Sequence, residues 1–162
     1  MTEPTLVRDA GLADVEQIAQ VWHEAWHDGH AAIVPEELTR IRTLDNFRSR
    51  LPAMLPHLRV AEAGGEIVGL CSIREDELFQ LFVARRARGK GAAAALIADA
   101  EQRLQQSGIR TAWLACAIGN DRAARFYERN GWRRVRTMVN LAETDRGAFS
   151  LEVWRYEKRL GV

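Results

Sequence analysis

The segment Leu81-Phe82-Val83-Ala84-Arg85-Arg86-Ala87-Arg88-Gly89-Lys90-Gly91-Ala92-Ala93-Ala94 carries the densest chemistry in the chain. An apolar, strand-like run ends, a basic loop follows, and glycines open an alanine-rich helix. The start of a helix leaves backbone amides free and carries partial positive charge, which suits an anion. Gly89 and Gly91 remove side chains where a phosphate must approach the main chain. Ala92 and Ala93 keep the first turn small. Arg85, Arg86, Arg88 and Lys90 place four positive charges within six residues. A polyphosphate would engage them all; a solvated basic loop is the plainer alternative.

Two familiar phosphate motifs do not account for this loop. Gly89-Lys90-Gly91-Ala92-Ala93-Ala94 fits the letters G-x-G-x-x-A of a dinucleotide fingerprint. That fingerprint requires glycines tight against the strand and an acid about 20 residues on. Here basic residues intervene, and the next strand-like run, TAWLACAIG, has no acid. No Gly-Lys-Ser or Gly-Lys-Thr of a P-loop occurs.

His23-Glu24-Ala25-Trp26-His27 matches the H-E-x-x-H pattern of zinc proteases. Only three of its five positions are fixed, so chance matches are common. A third ligand is required, His30 does not stand at the metzincin spacing, and Trp26 would crowd the metal. No metal is expected. Cys71 and Cys116 lie in apolar runs and read as small buried hydrophobes, with a catalytic thiol as the alternative. Ala123, Phe126 and Tyr127 share one helix face that points at a sheet.

The elements that must position these groups follow from periodicity. Leu58–Glu62 and Glu66–Arg74 are strand-like and joined by Ala63-Gly64-Gly65, a hairpin turn. Glu77–Val83 continues the meander. A helix is expected from Gly89 to Gln106, with Leu96, Ile97, Ala100 and Leu104 on one face. Thr111–Ala117 is a strand, Asn120–Asn130 a helix, and Trp132–Asn140 and Ala148–Lys158 two more strands. Near the N-terminus Thr5–Arg8 is a strand. Asp14 and Gln17 form a capping box for a helix to about His27. Residues 28–34, with Gly29, read as loop; Glu36–Arg42 is a short helix, and Asp45 caps Asn46–Met54. A strand–helix–strand unit in the middle requires a parallel pair with a right-handed crossover, so the sheet is mixed, mostly antiparallel, with about seven strands and flanking helices. The fold class is α/β (α+β), one domain over residues 1–162.

Composition bounds the function. The chain has 162 residues, 23 Lys plus Arg and 22 Asp plus Glu, for a formal net charge of +1. That balance argues against nucleic acid as a ligand. Lysine occurs only at Lys90 and Lys158. No run approaches the roughly 20 apolar residues of a membrane helix, and no leader is apparent, so a cytoplasmic protein is expected.

Arg86-Ala87-Arg88-Gly89-Lys90-Gly91 has the form R/Q-x-x-G-x-G/A. It resembles the acyl-CoA pyrophosphate loop of the GNAT superfamily of N-acetyltransferases. Asn120-Asp121-Arg122-Ala123-Ala124-Arg125-Phe126-Tyr127-Glu128-Arg129-Asn130-Gly131-Trp132 resembles that family's N-x-x-A-x-x-F-Y-x-x-x-G-F signature, with Trp132 for the usual Phe. Glu66-Ile67-Val68-Gly69-Leu70 and Leu81-Phe82-Val83 are also similar, and the likeness runs from Thr5 to Trp154. It implies a twisted sheet whose central strand pair splays to admit pantetheine. It implies acetyl-CoA as cosubstrate and a small-molecule or peptide amine as acceptor. By the resemblance Leu81, Phe82 and Val83 align pantetheine, and Arg88, Gly89, Lys90, Gly91, Ala92 and Ala93 hold the pyrophosphate. Asn120 touches the CoA arm, caps its helix, or does both. Tyr127 stands near the thioester sulfur as general acid. Glu77 is the candidate base, with the histidines near the first helix as alternatives. Trp22, Trp26 and His30 help form the acceptor pocket, unless Trp22 is core and the histidines are exposed. A homodimer through the terminal strands is possible on this pattern. A non-catalytic acyl-CoA-binding or regulatory domain is the rival reading.

Overall fold

The β-rich stretch between residues 58 and 83 forms a meander of β2 (Leu58–Ala63), β3 (Glu66–Arg74) and β4 (Glu77–Val83). Gly64 and Gly65 both take positive φ, 62° and 77°, as the tight turn between β2 and β3 demands. The computed structural model describes residues 4–161. Its seven strands form one sheet in the order β1-β2-β3-β4-β5-β7-β6, with β1 at Leu6–Asp9, β5 at Thr111–Ala117, β6 at Arg133–Thr144 and β7 at Gly147–Arg159. Every neighbouring pair is antiparallel except β4 with β5. That parallel pair is joined at one position, Glu77 opposite Trp113. Beyond it the strands diverge, so the expected mixed, splayed sheet is present.

Each face of the sheet carries its own core. On one face lie α4 (Ala92–Gln106) and α5 (Asp121–Arg129). Leu96, Ile97, Ala100 and Leu104 of α4 bury against Cys71, Leu114 and Cys116. Each fully buried aliphatic side chain contributes about 1.5–3 kcal/mol. The approach is close at Gly69, where a Cβ would stand 2.9 Å from Leu96 Cδ1. On the other face lie α1 (Val15–His30) and α3 (Leu44–Met54), with α2 (Glu36–Ile41) between them in sequence. Trp22, Phe47 and Leu51 meet Val60 and Leu70 there, and Ala142, Phe149 and Leu151 of the β6–β7 hairpin join them.

A bulge sets which β4 side chains face which core. Ile73 pairs with Leu78 and Ser72 with Gln80, so Phe79 is the extra residue. Leu78 therefore shares a core with Leu81 and Val83, while Phe82 belongs to the opposite one. Unbroken alternation would have put Leu78 and Phe82 together.

Several local expectations are corrected. Residues 28–30 are helical, not loop, because Gly29 is the point where α1 passes Asn120: a Cβ there would lie 3.0 Å from its Nδ2. Asp14 does not cap α1 through its side chain; it accepts from the Gly11 amide (2.8 Å) and takes a fork of bonds from Arg8 (2.8 and 3.0 Å). Gln17 turns away to accept from the Ile67 amide. Thr43, not Asp45, caps α3, receiving the Asn46 amide at 3.1 Å. The helix expected from Gly89 begins at Ala92, because Gly89 and Gly91 hold left-handed φ of 75° and 94°.

Candidate active site

The loop between β4 and α4 is built to leave its backbone open. A short 3-10 turn over Arg85–Ala87 leads into it, and left-handed Gly91 sits at the N-terminal cap of α4. A Cβ at Gly89 or Gly91 would meet nothing within 4 Å, so the space above both glycines is free. The first amides of α4 lack partners there, which makes the loop an anion cradle.

Two of the four basic residues share an acid of α1. Asp28 of α1 is held by Arg85, whose Nε donates at 3.2 Å and whose Nη2 also donates, and by Arg88 Nη2 at 3.0 Å. Burial pushes the Asp28 carboxyl up, but the two guanidinia outweigh it and keep it below its usual range. Glu24, one turn earlier, accepts from the Arg85 amide at 3.0 Å. Arg86 reaches the Ile67 carbonyl at 3.3 Å. Lys90 is exposed; its amide donates to the Ala87 carbonyl at 3.3 Å, and its ammonium makes no hydrogen bond among the described residues. Arg122 adds a further cation near Arg88; burial and Arg88 both lower its pKa.

Beside this loop the divergence of β4 from β5 leaves one backbone edge of Leu81, Phe82 and Val83 unladdered. These three side chains are half-buried, and their other edge pairs with Cys71, Leu70 and Gly69. Asn120 caps α5, accepting from the Ala123 amide at 3.4 Å.

Tyr127 projects from α5 into the core, with its ring 6.5 Å from that of Trp132 and 6.1 Å from that of Tyr156. It is 9% exposed, and burial first, then nearby Cys116 and Cys71, push its pKa up. No described group hydrogen-bonds its hydroxyl. Tyr156 differs: its hydroxyl donates to Glu128 (2.6 Å) and accepts from Arg134 (3.0 and 3.2 Å). Burial raises both thiols, Cys71 and Cys116, to about 12, which makes thiolate chemistry at neutral pH unfavourable.

Glu77 stands at the apex of the splay, opposite Trp113. It is 5% exposed, and Arg74 Nη2 donates to its Oε1 at 3.1 Å. Desolvation raises its pKa despite Arg74. Its cross-strand partner Arg74 lies two residues from Ser72, the partner of Gln80. Opposed residues share a face, so Glu77, Gln80 and Phe82 all point to the α1–α3 side.

On that side Trp26 stacks on His30 (centroids 5.2 Å, interplanar 12°), and His30 lies 6.1 Å from Phe82. His30 is half-buried; desolvation lowers its pKa, and its Nδ1 bonds the Trp26 carbonyl at 3.1 Å. Trp22 is 1% exposed, a core residue packed on Phe47 at 4.6 Å. The H-E-x-x-H residues are divided: His27 Nε2 meets the Arg42 carbonyl at 2.7 Å, while Glu24 serves the Arg85 amide. They do not converge on one point.

A family model described as Acetyltransferase (GNAT) family matches residues 15–132. The chain belongs to the GNAT acetyltransferase family. Solved structures share the fold over nearly the whole chain. A GCN5-related N-acetyltransferase from Rhodopseudomonas palustris is 19% identical with a TM-score of 0.76, covering 99% of this chain and 98% of that one. The PaiA N-acetyltransferase of Thermoplasma acidophilum, in complex with coenzyme A, is 20% identical with a TM-score of 0.68, covering 96% and 99%. YncA of Salmonella typhimurium, a putative acetyltransferase with acetyl-CoA, is 18% identical with a TM-score of 0.71, covering 98% and 95%. No curated relative matches the sequence.

Within this GNAT chain, Asp28 and Glu24 are the site residues that sequence reasoning missed. Their signal was present: two acids at i and i+4 on a helix, in a chain whose densest cationic run is 85–90. Reading Gly29 as a breaker hid Asp28 outside the helix. Among the described residues no helix is long and apolar enough to cross a membrane.

Proposed function

We propose that this GNAT acetyltransferase uses acetyl-CoA as donor and a primary amine as acceptor. The open space above the two left-handed glycines, Gly89 and Gly91, carries the reading. A diphosphate has room where a side chain would otherwise lie, with the amides of Gly89, Gly91, Ala92 and Ala93 beneath it. The free edge of Leu81–Val83 suits the pantetheine amides, which pair with it as an added strand does.

The chemistry is direct transfer. The neutral amine attacks the thioester carbonyl carbon, and a backbone amide of Leu81–Val83 holds the developing oxyanion. Collapse breaks the C–S bond, and the departing thiolate takes the Tyr127 hydroxyl proton. Burial keeps the phenol protonated in the free protein, and transfer to the thiolate requires that the bound donor bring its pKa back down toward that of the thiol. Glu77, on the acceptor face and with a raised pKa, accepts the amine proton through water. Asn120 steadies the donor from the start of α5, and Trp26 and His30 wall the acceptor side.

Calorimetry with acetyl-CoA tests the donor. Binding is expected well below 1 mM; no binding at that concentration, a threshold of about −4 kcal/mol, sinks the proposal. Thiol release on adding an amine panel tests transfer. Binding without release by any amine favours a non-catalytic acyl-CoA-binding domain instead.

A further inference from the structure

Two arginines on the α1–α3 side have no carboxylate paired with them among the described residues. Arg42 follows α2 and is 4% exposed. Its guanidinium donates to Asn46 Oδ1 (3.1 Å) and the Glu143 carbonyl (3.2 Å), both neutral. Arg50 of α3 is half-buried, with its guanidinium carbon 4.5 Å from the Trp22 ring centroid and 5.6 Å from that of Phe47. Among the described residues it makes no hydrogen bond or ion pair. Stacking returns only about 0.5–2 kcal/mol of the desolvation cost.

The surroundings offer donors and cations rather than carboxylates. His23 packs 4.5 Å from His27 and 5.9 Å from Phe47. The indole Nε1 of Trp22 is buried with no hydrogen-bond partner. The nearest acids are committed elsewhere: Glu16 and Asp45 hold Arg48, and Glu24 and Asp28 serve the glycine loop. Only Asp145, at the β6–β7 turn, acts on Arg42 electrostatically. Desolvation, and then Arg42, bring the pKa of Arg50 down to about 10. Two like charges on neighbouring elements, neither paired with a carboxylate, favour an anion that joins them.

We infer that Arg50, backed by Arg42, forms a binding site for a compact oxyanion, a carboxylate or a phosphate group, on the acceptor side of the sheet. The guanidinium fork matches either group with two parallel bonds. The site is separate from the Gly89–Gly91 cradle, which lies beyond α1. It connects to the β4 edge through one aromatic layer, in which Phe47 lies 6.1 Å from Trp26 and Trp26 stacks on His30 beside Phe82. The anion is therefore either a remote group of the acceptor or a free ligand held next to the acceptor.

The test titrates inorganic phosphate and acetate into the protein at constant ionic strength, with and without coenzyme A, by calorimetry and thermal shift. One binding event should be common to both conditions. It should weaken about tenfold or more in Arg50→Gln, as loss of a charge-assisted pair does. Arg50→Lys, which keeps the charge but not the fork, should weaken it less. Arg48→Gln, the exposed neighbour paired with Glu16, should leave it unchanged. Equal anion binding by wild type and Arg50→Gln overturns the site. Because phosphate binding is read directly, the outcome stands even if acetyl-CoA does not bind. Competition between phosphate and an acetylated amine assigns the anion to the acceptor; non-competitive behaviour assigns it to a free ligand. Either result retains the site.

Discussion

Arg88 of the glycine loop and Asp28 of α1 form an ion pair of 3.0 Å across 60 residues of sequence. The same carboxylate takes Arg85. One acid thus ties the acceptor-side helix to the loop proposed to hold the donor's diphosphate. It also places negative charge beside an anion cradle. Asp28→Asn should therefore tighten coenzyme A binding several-fold at low salt, and the gain should vanish at high salt, where such interactions are screened. Calorimetry at two ionic strengths reads it. Weaker binding at low salt would instead make Asp28 a residue that orients Arg88 for the phosphates.

Tyr127→Phe separates chemistry from packing. The Tyr127 hydroxyl has no hydrogen-bond partner among the described residues, so its removal should leave the melting temperature level or higher. Turnover should fall about a hundredfold, within the range of a lost general acid, with coenzyme A affinity nearly unchanged. Tyr156→Phe is the contrast. It removes bonds to Glu128 and Arg134 and should cost about 2 kcal/mol without altering turnover per folded molecule.

Glu77 gives a pH signature in both stability and rate. Its pKa is raised on folding by desolvation, so the folded chain binds its proton more tightly than the unfolded chain. That contribution is complete below the unfolded value and is lost as pH rises through the folded one. Glu77→Gln should accordingly flatten the decline in stability above the ordinary carboxylate range. In the same variant the acidic limb of the kcat profile should disappear, and kcat should drop about a hundredfold. An unchanged profile moves the base elsewhere, with His30 next in line.

Gly91→Ala forces a Cβ onto a residue at φ 94°. A left-handed conformation costs an L-residue about 1–2 kcal/mol, which chemical denaturation will show. The added methyl also projects into the open space over the loop, so coenzyme A affinity should fall by more than the stability loss explains. Gly65→Ala, at φ 77° in a turn remote from the loop, should destabilise comparably and leave affinity intact.

The strands and the long helix were legible because periodicity and glycine placement are local signals. The glycine loop was legible for the same reason, since small and basic residues coincide at one helix start. What escaped was long-range. Gly29 continues α1 because it clears Asn120, a contact no nearby residue announces. Asp28 meets Arg85 and Arg88 only once α1 extends past it. The extra residue at Phe79 reverses the facing of β4, and alternation alone does not disclose it. That Arg42 and Arg50 have no carboxylate partner depends on where the acids of the fold are spent.

The single paired position between β4 and β5, Glu77 opposite Trp113, has a mechanical consequence. The sheet is two plates riveted at one point, β1–β4 on one side and β5–β7 on the other. Beyond the rivet the helix layers and the tip of the β6–β7 hairpin, which packs into the α1–α3 core, keep the plates in line. A molecule lying along the gap acts as a splint, supplying the rungs that the strands lack. Amides on both flanking strands should then slow together in hydrogen exchange when the gap is filled, including β5 amides far from any phosphate.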